Sequence, residues 1–283
     1  MAGLSARRAF SGLAGLALGA IAAGVPAAGA MELLTHRAVY DLALGEQPDG
    51  AGIAGLRGRM VYEITGGPCE GYSVAFRFVT QVSDESGAVR VTDLQTSSYE
   101  EASGKTFQFL SKTYVNRALS EETRGRAVHA DGRIALALKK PEKRDTAING
   151  KALFPTEHLR RMLDAAEQGE TIFIADIFDG SDTGDKVYET TAVIGQRRDG
   201  PGAPERDDAK AVDAIGTADH WPVTISYFDE KSDETGERTP VYQLSFLLYE
   251  NGVSRRLTLD YGDFTLKGNL SEFTRLEPVA CGG

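Results

Sequence analysis

Two cysteines, four histidines and one acid-rich loop are the residues of this chain whose types could do chemistry. Cys69 and Cys281 lie far apart, no C-x-x-C is present, and no histidine stands close to either. A redox pair or a metal site would need such neighbours. In an oxidising compartment an even cysteine count reads instead as a structural disulfide. Closing so long a loop is worth about 5 kcal/mol in the chain-entropy treatment. His36, His129, His158 and His220 are separated by long stretches. No H-E-x-x-H, G-x-S-x-G elbow or phosphate-cradling glycine loop appears, so no catalytic residue and no cofactor are assigned. His158 lacks a partner motif and reads as a capping or packing residue.

Asp179-Gly180-Ser181-Asp182-Thr183-Gly184-Asp185 places three carboxylates around two glycines, an arrangement that can wrap a hard cation. With Gly184 at the sharp turn of such a loop, the closing acid falls at Thr190, which cannot serve. A polar turn is the expectation and no metal is assigned. Asp260-Tyr261-Gly262-Asp263 sets a glycine between acids inside an apolar run and reads as a β-bulge or bend.

The elements that would position these residues are mostly strands. Ala38, Tyr40, Leu42 and Leu44 alternate with other residues, as do Met60, Tyr62 and Ile64, and then Tyr72, Val74, Phe76 and Phe78. A period of two puts each set on one sheet face. Gly66-Gly67-Pro68 marks a turn that sets Cys69 at a strand edge. Short runs follow at 89–94, 106–110, 112–115, 127–130 and 134–138. They resume at 171–178, 187–194, 223–228 and 242–249, and Asn251-Gly252 is a strong hairpin signal. Leu257, Leu259, Phe264, Leu266 and Leu270 carry the pattern to the end. One segment differs. From Pro155 to Gln168, Leu159, Met162, Leu163 and Ala166 recur at helical spacing, with Pro155 and Glu157 suited to the first turn and Gly169 to the C-terminal end. One helix against a large antiparallel sheet is expected. The polar stretch 201–208 reads as a mobile loop, and Glu230 to Thr239 as a charged hairpin tip.

At the N-terminus, Arg7 and Arg8 precede an uncharged run from Gly12 to Val25, and Ala28-Gly29-Ala30 supplies small residues for cleavage. Residues 1–30 therefore read as a secretory signal cut after Ala30, too short and glycine-rich for a spanning helix. Arg7-Arg8-Ala9-Phe10 also looks like part of a twin-arginine signal, which leaves the export route open. Residues 31–283 then form a single periplasmic domain with no transmembrane segment. The chain carries 31 Lys and Arg against 41 Asp and Glu, a net charge of −10, and loss of two arginines with the signal makes it more acid. That balance disfavours nucleic acid as a partner. With 41% hydrophobic residues, a real core is expected. Aromatics such as Tyr62, Phe76, Phe107, Phe109, Phe246 and Tyr249 should largely be core, although a sheet too large for one helix to fill would leave an apolar groove able to hold an acyl chain.

Several stretches together resemble one known family. His36-Arg37-Ala38-Val39-Tyr40-Asp41-Leu42, Phe154-Pro155-Thr156-Glu157-His158, Phe178 to Asp182, and Leu257-Thr258-Leu259-Asp260-Tyr261-Gly262-Asp263-Phe264 are similar to the cell envelope integrity protein EipB family, across about His36 to Cys281. The resemblance implies a mainly β protein: a long curved antiparallel sheet, a β-spiral shaped like the lipoprotein carriers LolA and LolB, wrapped around one α-helix. It implies the family's single disulfide on Cys69 and Cys281, and a role in envelope integrity with no assigned reaction. The resulting expectation is a non-enzymatic periplasmic protein that binds an envelope component or a periplasmic or outer-membrane protein. The alternatives are a carrier of lipid or lipoprotein acyl chains, an interaction module using sheet edges, and a cell-wall hydrolase with a converging pair of acids.

Overall fold

The computed structural model of the protein describes residues 32–48, 52–229, 238–279 and 281. The expected signal with its Ala30 cleavage point lies outside these residues, as does most of the expected charged tip at 230–239.

Alternation in sequence becomes shared faces in space. β1 (His36–Leu44), β2 (Ile53–Gly67) and β3 (Gly71–Asp84) pair antiparallel, so that Ala38 faces Tyr62 and Phe76, while Tyr40 faces Met60 and Phe78. Each such row turns its apolar members inward, as the period of two requires. β4 (Val89–Glu101), β5 (Thr106–Val115), β6 (Ala118–Ala130), β7 (Arg133–Lys140) and β8 (Arg144–Asn149) continue the ladder outward on one side. β5 joins two runs that the sequence separates at Ser111. The other side is laid down by β14 (Thr265–Arg275), β13 (Ser254–Asp260), β12 (Tyr242–Tyr249), β11 (His220–Asp229), β10 (Tyr188–Ile194) and β9 (Ile172–Ile177). The result is one antiparallel sheet of 14 strands, with β8 and β9 at its two ends. The ends meet through a single parallel bridge between Leu153, just past β8, and Ile177 of β9.

Two cores sit inside this curve. One gathers Tyr40, Met60, Trp221, Val223, Leu248 and their neighbours with α1 residues Met162 and Leu163. The other is smaller and aromatic: Phe107, Phe109, Phe154 and Phe178 pack together, stacked or edge-on, at ring-centre distances of 5.2 to 6.3 Å. Gly180 lies directly on Phe109 at a φ of +72°, where a Cβ would come within 2.4 Å of the ring. The 179–185 loop thus closes the aromatic core.

α1 (Pro155–Glu167) forms where its apolar spacing places it and ends at Gln168. Gly169 donates to Ala166 O and Glu170 to Ala165 O, a Schellman ending that the positive φ of Gly169 permits. A second helix, α2 (Ala209–Ile215), adds to the single expected one and packs on β14. Its N-cap is Asp208, which accepts from Ala211 N at 3.0 Å.

Two expectations change and one holds. The 201–208 stretch is pinned: the Asp207 carboxylate is buried, accepts from Leu270 N at 2.7 Å and pairs with Arg255 at 2.6 Å. Arg255 also donates to the carbonyls of Pro201 and Ala203. The Asp260–Asp263 segment is the turn joining β13 to β14, where Asp260 accepts from Gly262 N at 2.8 Å, and is no bulge within one strand. Its glycine serves a hairpin, which the apolar residues on both sides had made look like one interrupted strand. The Cys69–Cys281 disulfide is present, with a Cα–Cα distance of 5.6 Å across 212 residues. It bolts the chain leaving β14 to the turn between β2 and β3.

Candidate functional site

A cleft of about 510 Å³ lies over α1. Helical geometry assembles its floor, since Glu157, Arg161, Asp164 and Gln168 recur every three or four residues and so share one face. Met162, Leu163 and Ala166 point the other way, into the core. Ser103 and Gly104, in the β4–β5 turn, form one wall, and Glu170, just before β9, with Phe173 of β9 forms the other.

At the deep end is Glu100, the penultimate residue of β4, only 4% exposed. Phe154 at the N-cap of α1 has no side chain that can cap. Glu100 takes over that task, accepting from Thr156 N at 2.7 Å and Glu157 N at 2.8 Å. Burial pushes its carboxyl up to about 7, against the opposing pull of the two N–H donors. A carboxylate here thus holds the helix start while poised near neutrality. Sequence reasoning missed it, because donor and acceptor are 56 residues apart and only the fold joins them. The missing cap at Phe154 was the one available signal.

The other acids of the cleft divide. Glu157 pairs with Arg161 at 2.6 Å. Asp164 and Glu170 make no ion pair among the described residues. His158, beneath the cleft, is buried, and its Nε2 lies 2.8 Å from Thr190 Oγ1, which itself donates to Ala175 O. His158 therefore donates through Nε2. Burial lowers its pKa to about 4, so it is a neutral packing residue. His36 and His220 each place Nδ1 within hydrogen-bond reach of a backbone carbonyl, Leu34 O and Gly200 O, and His129 packs on Phe154 at 4.3 Å. The four histidines do not converge.

Nor do the acids of the 179–185 loop gather into a metal site. Asp182 accepts from Tyr188 and pairs with Lys186, Asp185 pairs with Arg144, and Asp179 accepts from Ser181 N. Among the described residues no group of three or more His, Cys, Asp or Glu comes together. Of the aromatics expected in the core, Tyr72, Phe107, Phe109, Phe246 and Tyr249 are buried, while Tyr62, Phe76 and Phe78 are partly buried against the larger core; the aromatic lining the cleft is Phe173. No helix among the described residues is long and apolar enough to cross a membrane.

The family model described as EipB-like matches residues 27–277. The chain belongs to the EipB-like family. It is 42% identical over 249 residues to the cell envelope integrity protein EipB of Brucella abortus (strain 2308), covering 88% of this chain and 86% of that one. A crystal structure of a beta-barrel-like protein of domain of unknown function DUF1849 from Brucella abortus superposes with a TM-score of 0.79 at 40% identity. That match covers 87% of this chain and 99% of the other. The relative's fold agrees with the curved sheet described above.

Proposed function

We propose that this EipB-like chain is exported, loses residues 1–30 after Ala30, and works in the periplasm to maintain the cell envelope by binding a partner in the α1 cleft. The observation that carries this reading is a charged cleft, backed by a rigid helix, in a chain whose Brucella relative is called a cell envelope integrity protein. A disulfide closing most of the chain suits an oxidising compartment. Charged lining favours a polar partner such as an envelope protein over an acyl chain. The non-enzymatic reading is supported by the engagement of Glu100, the one acid with a raised pKa in the cleft. Both its oxygens are taken by backbone donors.

Complementation tests the proposal. In a strain lacking the gene, the wild-type chain should restore resistance to detergent. Asp164→Lys combined with Arg160→Glu, both on the face of α1 that lines the cleft, should unfold at an unchanged temperature and fail to restore it. Full restoration by this double variant would contradict the cleft assignment. Release of fragments from purified peptidoglycan by the wild-type protein, abolished by Glu100→Gln, would contradict the non-enzymatic reading.

A further inference from the structure

The two ends of the sheet are finished differently. β8 carries Arg144 and Asp145 and has no large exposed apolar residue, the usual way a sheet edge is blunted against further pairing. β9 reads Ile-Phe-Ile-Ala-Asp-Ile. Ile172 is 55% exposed and Ile174 is 64% exposed, and Val193, paired with Ile172 on β10, is 55% exposed. These three make an outward apolar patch on an edge.

The backbone of that edge is also open. Leu153 N donates to Asp176 O, and Phe178 N donates to Leu153 O. Residues of an antiparallel strand alternate the side to which their N–H and C=O point. Ile172 and Ile174 therefore present theirs on the same side as Asp176. Among the described residues no backbone group takes them there. Leu153 shows that this side accepts a strand-like partner, and it occupies only the far end. Phe173, in the middle of the free stretch, lines the α1 cleft, so a segment laid on the edge would run beside Asp164 and Glu170.

A second copy of this chain is a poor occupant. Pairing through so few residues buries far less than the roughly 1,200 Å² of a stable interface. An extended segment in the cleft gains the ladder, the apolar patch and contact with α1 together. With Glu157 and Arg161 neutralising each other, Asp164 and Glu170 stand against Arg160 alone, in a chain of net charge −10. That excess calls for a basic segment.

We propose that the free edge of β9 receives an extended segment of a partner polypeptide as an added strand, with apolar side chains on Ile172, Ile174 and Val193 and lysine or arginine at the intervening positions facing Asp164 and Glu170. This rests on the cleft-binding reading above and names the kind of partner. The mode is strand addition, in which main-chain bonds give affinity and alternate side chains give specificity.

The test is fluorescence anisotropy on the purified exported protein, with a short labelled peptide alternating valine and lysine as probe. A peptide with glutamate in place of lysine is its control. The lysine peptide should bind saturably, and the glutamate peptide at least tenfold more weakly. Ile174→Lys and Ile174→Pro should each weaken binding roughly tenfold or more without lowering the unfolding temperature, because the side chain is exposed and the removed N–H faces outward. Val89→Lys, an exposed apolar position on the β3–β4 hairpin, should leave binding unchanged. No saturable binding, equal binding by the Ile174 variants, or equal binding of both peptides would overturn the proposal. So would a concentration-dependent dimer abolished by Ile174→Lys, which would make the occupant a second copy. If the Ile174 variants restore detergent resistance while the Asp164→Lys and Arg160→Glu pair does not, strand addition falls and the cleft reading stands.

Discussion

α2 starts on its own cap, Asp208, and lies on β14 beside a buried ion pair whose members are 0% and 1% exposed in their side chains. α1 starts on Phe154, which caps nothing, and borrows its acceptor from Glu100 on a strand 56 residues earlier. Beside α2 the buried ion pair is fully engaged: Arg255 donates to Asp207, Tyr249, Pro201 and Ala203, and Asp207 also holds Leu270 N. Around α1 the key carboxyl sits near neutrality, and Asp164 and Glu170 look into a cleft. One helix closes the spiral, and the other is presented by it. The difference teaches that buried polar groups here serve two ends, a lock where no partner comes and a support where one is received.

Five predictions press on that contrast. The largest effect belongs to the α2 side, where the disulfide anchors the chain after β14. Cys69→Ser should lose about 2–5 kcal/mol in oxidising buffer and almost nothing once reductant is present, read by urea unfolding. Arg255→Met should cost about 3–5 kcal/mol, since Asp207 would then stay buried without its cation. Adding Asp207→Asn should recover part of that loss, and strict additivity would show that the pair is no lock.

On the α1 side the effects are smaller and depend on pH. Glu100→Ala strands two helix N–H groups and should cost about 1–3 kcal/mol. Glu100→Gln sharpens the comparison. The folded pKa of Glu100 is raised from 4.5 to about 7, so the native state binds the extra proton between these values, and stability falls as pH rises through that window. The advantage of wild type over Glu100→Gln in thermal unfolding should therefore be greatest near pH 5 and smaller at pH 8. His158 acts in the opposite sense. Its folded pKa is lowered from 6.5 to about 4, so the unfolded chain binds the proton first, and stability is lost as pH falls from 6.5 towards 4. His158→Gln should flatten the acid side of the curve and leave the side above pH 7 unchanged.

Much of the fold was legible because its signals are local. The alternation of Ala38, Tyr40 and Leu42 matches β1, the run at 242–249 matches β12 residue for residue, and the spacing of Leu159, Met162, Leu163 and Ala166 gives α1. β8 was not legible: Arg144 to Asn149 is a polar edge strand half open to water and carries no period-two core signal. α2 was hidden behind the polar 201–208 stretch, whose anchor, Asp207, looks like any surface acid until Arg255 meets it across 48 residues. The cleft was the least legible part. Glu100, the β4–β5 turn, α1 and β9 are brought together only by the curl of the whole sheet, and no spacing in the sequence encodes that meeting.

The central claim, that the α1 cleft is where this chain meets its partner, is tested most directly by site-specific photocrosslinking in living cells. A photoreactive amino acid is placed either at Asp164 in the cleft or at Asp145 on the opposite edge strand. The account predicts one defined crosslinked species from position 164 and none from position 145. Equal crosslinking from both, or none from position 164 in cells whose envelope the labelled protein protects, would contradict it.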